Sequence, residues 1–163
     1  MRHCKYKRKF SRTPSHRRAM LSNLVRSLFH YEQIGTTEAK AKAVKAVADR
    51  LIDRARDDSV HARRLVAPVV KDRNLVHKLF HEIAPLAEGK GGGYVRILKT
   101  HERRGDAAPM VLVELVNKTR RYYDRRKAEE EARKAKKEEA RQAAEKAQEA
   151  AKASGGAPAS KSY

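Results

Sequence analysis

His77 and His81 stand one helical turn apart. Two imidazoles at that spacing share one side of a helix, which is how a zinc-protease helix begins a metal site. Such a helix carries glutamate directly after the first histidine. Here Lys78 occupies that place, and no third ligand is spaced to complete a site. The seven histidines therefore read as surface imidazoles, some of them suited to touching phosphate. Cys4 is the only cysteine, which excludes an internal disulfide framework. Its basic neighbours favour thiolate, but nothing around it positions a nucleophile. Gly89, Gly91, Gly92 and Gly93 lack the Gly-Lys-Ser/Thr of a phosphate loop and precede a strand pattern rather than a helix, so they read as a flexible connector. Arg104-Gly105-Asp106 reads as a turn. Glu32, Glu38, Glu82 and Glu114 are scattered over different elements and form no evident acid/base dyad. No enzyme chemistry, metal or cofactor is indicated.

The chemistry that the sequence does carry is cationic. Lys and Arg number 39 against 20 Asp and Glu, a formal net charge of +19 in 163 residues. An excess of that size points to polyanionic partners. It is also uneven. Residues 1–18 hold eight Lys or Arg and no acid: Arg2, Lys5, Lys7, Arg8, Lys9, Arg12, Arg17 and Arg18. Such a segment buries too little apolar surface to fold alone. On a phosphate backbone its self-repulsion is relieved and counterions are released. Tyr6 and Phe10, interleaved with the cations, are suited to stacking on unpaired bases or to anchoring the arm. A solvated solubility segment or a targeting peptide are the alternatives, although a transit peptide is normally amphipathic and Ser-rich. No apolar run reaches the ~20 residues of a membrane-spanning helix, and no signal-peptide pattern opens the chain. A cytoplasmic protein without membrane or small-molecule partners is expected.

Three parts are expected to position these charges: a basic arm over 1–12, a folded domain over 13–118, and an Ala/Lys/Glu-rich tail over 119–163. Thr13-Pro14 predicts a helix start, with Met20, Leu21, Leu24, Val25 and Leu28 on one apolar face. A strand follows over Tyr31–Thr36. Thr37 then caps a second helix, lined by Val44, Val47, Leu51 and Ile52, that runs to about Arg56. A third helix runs from Val60 to Val70, where Pro68 is expected to shorten or bend it. Asp72 caps a fourth, whose buried stripe is Leu75, Val76, Leu79, Phe80 and Ile83. Two strands, Tyr94–His101 and Met110–Val116, flank a polar loop with Gly105 as its turn residue. The order α-β-α-α-α-β-β predicts an α+β fold, a two-layer domain of about four helices packed on a small three-stranded sheet. The tail reads as a solvated helix supported by Glu129/Arg133 and Glu130/Lys134 pairs, and its last ten residues as disordered.

Several blocks, in order, resemble the bacterial large-subunit ribosomal protein seventeen family. They are Met1-Arg2-His3; Ser15-His16-Arg17-Arg18-Ala19-Met20-Leu21; Ile34-Gly35-Thr36-Thr37 with Ala39-Lys40-Ala41-Lys42; Asp58-Ser59-Val60; and Lys78-Leu79-Phe80. The C-terminal half adds Gly92-Gly93-Tyr94-Val95-Arg96-Ile97-Leu98-Lys99, Arg104-Gly105-Asp106-Ala107-Ala108-Pro109-Met110 and Val113-Glu114-Leu115-Val116. The resemblance covers residues 1 to about 117. It implies a small α/β domain in the ribosome, bound to large-subunit ribosomal RNA beside neighbouring ribosomal proteins, supporting assembly and translation rather than catalysis. It carries RNA contact onto Arg2, His3, His16, Arg17, Arg18, Lys40, Lys42, Arg96 and Lys99. To these the arm's own charge adds Lys5, Lys7, Arg8, Lys9 and Arg12. Nothing carries over to the tail. A DNA-compacting protein shares the charge, and an RNA-modifying enzyme shares the partner. The first would prefer duplex DNA in competition, and the second would turn over RNA with a cofactor.

Overall fold

The computed structural model describes residues 8–89 and 91–154, with side chains as far as Arg141. In chain order the elements are α1 (Pro14–Tyr31), β1 (Gln33–Thr37), α2 (Glu38–Ala55), α3 (Val60–Val70) and α4 (Arg73–Lys78). A π-helical turn (Leu79–Ile83) and α5 (Ala84–Leu86) continue α4, and β2 (Val95–Glu102), β3 (Pro109–Leu115) and α6 (Arg120–Ser154) follow. The fold is the α+β arrangement expected from the sequence.

β3 lies between β1 and β2 in an antiparallel sheet. Opposed residues in a ladder share a face. Ile34, Val113 and Ile97 therefore line up toward the helices, and so do Thr36, Val111 and Lys99. Gln33, Glu114 and Arg96 occupy the other face, beside Gly35, Leu112 and Leu98. Val111, Val113 and Leu115 join Val25, Leu28, Phe29, Val44, Ile52, Val66, Val70 and Leu79 in one core. Of the face expected on α1, Val25 and Leu28 are buried, while Leu21 and Leu24 pack partly buried against the core. The start of β2 is tied to α2 by polar bonds. The Val95 N–H donates to Asp49 Oδ1 at 3.1 Å and the Tyr94 hydroxyl to Asp53 Oδ1 at 3.2 Å. Burial pushes the Asp49 carboxyl above its ordinary value, against the pull of the Val95 N–H.

Three local expectations are corrected. The first strand does not begin at Tyr31. α1 runs through that residue, and Glu32 ends the helix with a left-handed backbone, φ 63°, so β1 starts at Gln33. Thr13 and Thr37 hold the N-cap positions of α1 and α2, yet neither side chain caps. The caps that do form are Ser59, accepting from the Ala62 N–H at 3.1 Å, and Asp72, accepting from the Asn74 N–H at 2.9 Å. α3 keeps the expected bounds, Val60–Val70, running two residues past Pro68 and closing at Lys71, φ 61°, whose N–H donates to the Ala67 carbonyl at 2.8 Å. The fourth helix widens at Leu79–Ile83, where the Ala84 N–H reaches back to Leu79. Pro85 follows directly and has no N–H to give.

The turn of Glu32 is held by a buried network. Its carboxylate receives the Lys78 ammonium at 2.6 Å, the Thr119 N–H at 2.8 Å and the Thr119 hydroxyl at 2.5 Å. Lys78 also donates to the His30 carbonyl at 3.1 Å. A non-glycine residue in the left-handed region costs about 1–2 kcal/mol, and these bonds hold it there.

The chain divides into two units, one ending at Tyr122 and the other beginning at Tyr123. Thr119 and Tyr122 are buried in the first unit. Within the second, Glu129 and Glu130 pair with Arg125 at 3.8 Å and Arg126 at 3.3 Å. These partners lie one turn before the glutamates, where Arg133 and Lys134 were expected one turn after. Both choices are exposed pairs of small worth. Residues 155–163, most of the segment read as disordered, lie outside the described residues.

Candidate nucleic-acid interface

α1 begins without an acidic residue in its first turn. His16, Arg17 and Arg18 stand there instead, with Arg12 just ahead and hydrogen-bonded to His16 Nε2. The N-terminal end of a helix carries partial positive charge from unpaired N–H groups, which disfavours cations and favours anions. Since Thr13 does not cap, those amides are available. Arg17 is half-buried, and Arg12, His16 and Arg18 are exposed. Folding gains nothing from cations in this place. A phosphate would gain from both the amides and the side chains.

A second group gathers around Glu38, the first residue of α2. Lys42 Nζ lies 2.6 Å from Glu38 Oε1. The hydrogen bond from Lys42 and its charge hold the Glu38 carboxyl below the ordinary range, and the positive charges of Lys99 and Arg8 pull the same way. Three expected residues from the arm, from α2 and from β2 are thereby brought to one place. One acid faces three cations, so the site stays positive. Lys40 is half-buried on the same first turns of α2, and Lys9 is exposed.

Arg96 is not part of this group. It sits on the outer face of the sheet, and its Nε donates to the buried Glu114 carboxylate. Lys118 Nζ binds the other carboxylate oxygen at 2.8 Å. Burial pushes the Glu114 carboxyl upward, but Lys118 and Arg96 outweigh it and hold the group below its ordinary value. Arg96 is thus paired with a buried acid of the fold while its own side chain stays exposed. Arg2, His3, Lys5 and Lys7 lie outside the described residues.

Glu38 was not singled out by the sequence reading as an organising residue, although its i,i+4 relation to Lys42 was a usable signal. The His77 and His81 rings stack 4.3 Å apart at 41°. Among the described residues no group of three or more His, Cys, Asp or Glu is placed to hold a metal ion, and no helix is long and apolar enough to cross a membrane.

The geometry is that of a cation-bearing surface on a small fold, and comparison with known proteins decides its family. A profile described as "Ribosomal protein L17" matches residues 20–116. The chain belongs to the ribosomal protein L17 family. It is 47% identical over 133 residues to "Large ribosomal subunit protein bL17" of Maridesulfovibrio salexigens, covering 81% of this chain and 94% of that one. The protein of the same name from Thermodesulfovibrio yellowstonii is 45% identical over 132 residues, covering 81% and 99%. That from Borrelia hermsii is 48% identical over 111 residues, covering 68% and 90%. The ribosomal protein L17 match spans every described element from within α1 to the end of β3. It therefore takes in Glu38, Lys42 and Lys99 and the buried Glu32–Lys78 pair, while the arm, with Arg8, and the first turn of α1 precede it.

Proposed function

We propose that this protein is a structural constituent of the bacterial large ribosomal subunit. It binds large-subunit ribosomal RNA, lies beside neighbouring ribosomal proteins in the cytoplasmic ribosome, and supports subunit assembly without catalysis, cofactor or small-molecule substrate. The observation that carries this reading is the set of cations at the start of α1 together with Arg8, Lys42 and Lys99 around Glu38, in a chain of this family. The 13–118 domain supplies fixed cations. The 1–12 arm, with Arg2, His3, Lys5 and Lys7, orders on RNA as it binds. Backbone ordering costs about 1–2 kcal/mol per residue, which phosphate contacts and counterion release offset. Phosphate contacts set position, while RNA shape and unpaired bases select the site.

The test is the salt dependence of binding to large-subunit ribosomal RNA. Six neutralised phosphates give a log–log slope of roughly −4 to −5. Deleting residues 1–12 should flatten that slope and leave the melting transition in place. An unchanged slope removes the arm from the account, and preference for duplex DNA over ribosomal RNA removes the function.

A further inference from the structure

The turn between α3 and α4 forms an open hollow of about 370 Å³. Val60, Ala67 and Val76 give it an apolar floor, and Val60 is 66% exposed. Arg63, Arg64, Lys71 and Arg73 stand around it. Asp72 is its single acid, and that carboxylate is occupied in capping the Asn74 N–H. Arg63 is held in place by Asp58, 2.5 Å away, and by the Phe80 ring, 5.3 Å from its guanidinium carbon. Arg64, Lys71 and Arg73 are exposed, and no described residue partners their side chains.

Helix electrostatics accounts for only one of these three. Lys71 closes the C-terminal end of α3, where a cation is favoured. Arg73 is the first residue of the helical run from 73 to 86, where a cation is disfavoured. Arg64 lies within α3, away from either end. Three like charges without counter-ions around one concave surface raise the energy of the free protein, and an anionic occupant lowers it. None of these residues belongs to α1, to the Glu38 group or to the arm.

We propose that the α3–α4 hollow is a second ribosomal-RNA contact, taking the sugar–phosphate backbone of a strand separate from the one held at the start of α1. This rests on the RNA-binding reading above. Arg64 and Arg73 present planar guanidinium groups suited to paired phosphate oxygens, and Lys71 adds a point charge. The floor has aliphatic side chains and no exposed aromatic ring for a base to stack on, so the contact positions the protein without selecting sequence. Four cations against one acid around the rim, in a chain of net charge +19, favour RNA over a protein segment as the occupant.

The experiment compares full-length protein with two triple variants, Arg64→Gln/Lys71→Gln/Arg73→Gln and Arg64→Glu/Lys71→Glu/Arg73→Glu. It measures binding to large-subunit ribosomal RNA across salt concentrations, hydroxyl-radical footprints, thermal melting and incorporation into large subunits. The Gln variant should melt close to the wild-type temperature, since relief of like-charge repulsion is set against loss of the favourable Lys71 charge at the end of α3, and the Glu variant should melt somewhat lower but stay folded, since it crowds three acids around Asp72. Both should flatten the log–log salt slope by about 2, as expected for three single-strand phosphates. Each should lose protection of one RNA segment, and Arg17→Glu/Arg18→Glu should lose a different one. Slopes and footprints equal to wild type overturn the proposal. So does normal binding to naked RNA combined with failed subunit incorporation, which would mark the hollow as a protein contact. Wild-type protein that does not bind ribosomal RNA at all would instead overturn the function proposed above.

Discussion

The two ends of α1 handle charge in opposite ways. At its C-terminal end Glu32 is fully buried, and Lys78 and Thr119 satisfy its carboxylate. At its N-terminal end His16, Arg17 and Arg18 stand against the helix polarity, and no acidic residue among the described ones pairs with them. The first arrangement completes the fold, because a charge taken out of water must be paired. The second leaves charges that the fold does not use and that would suit a polyanion. The same division separates Arg96, engaged with Glu114, from Lys99, which lies three residues along the same strand and belongs to the group around Glu38.

The largest expected effect comes from breaking the paired end. Lys78→Met leaves the Glu32 carboxylate buried without its cation and should cost about 3–5 kcal/mol in chemical denaturation. Adding Glu32→Gln should restore much of that loss, and a double variant as unstable as the single would mean that the pair is not what holds the corner. Breaking the free end should do the reverse. Arg17→Glu/Arg18→Glu should weaken ribosomal-RNA binding by about tenfold or more, the worth of one or two charge-assisted hydrogen bonds. Stability should stay level or rise by about 0.3–1 kcal/mol per favourable helix-end charge.

Capping sharpens the contrast at lower amplitude. Ser59→Ala removes the bond to the Ala62 N–H and should cost about 1 kcal/mol. Thr13→Ala removes no cap bond and should change stability by less than about 0.5 kcal/mol. Equal losses at the two sites would show that α1 is capped after all.

Acidification gives the smallest and broadest effect. The Glu114 carboxyl is held below its ordinary value of 4.5. Its contribution is therefore complete above about pH 4.5 and is lost as pH falls through the lowered value. Glu38 acts in the same direction. Asp106, clasped by Arg103 at 2.6 Å and held down to about 2, keeps its contribution to lower pH. Asp49, pushed upward by burial, opposes the trend. The melting temperature should decline below about pH 4.5, and Glu114→Gln should make that decline shallower.

Much of this was legible before the fold was seen. The periodicity of Leu75, Leu79, Phe80 and Ile83, the cap at Asp72 and the near-continuous apolar run of β3 are local signals, and they locate the elements. The buried Lys78 was not legible. A lysine is ordinarily solvated, and its partner Glu32 is 46 positions away in sequence. The π-helical turn was hidden because one extra residue in a turn leaves the apolar spacing within ordinary helical scatter. At the candidate interface, charge counting found the arm and resemblance found Arg17, Arg18, Lys42 and Lys99. Neither could tell the roles of Arg96 and Lys99 apart: strand alternation puts them on opposite faces, but their partners, Glu114 and the group around Glu38, are distant in sequence.

The central claim is that unpaired cations at the start of α1 serve RNA and not the fold. The most direct measurement takes Arg17→Glu/Arg18→Glu and follows thermal melting and the salt slope of ribosomal-RNA binding on the same preparation. The account predicts an unchanged or higher melting temperature with a slope flatter by about 1.5, the loss of two phosphate contacts. A lowered melting temperature with an unchanged slope would contradict it.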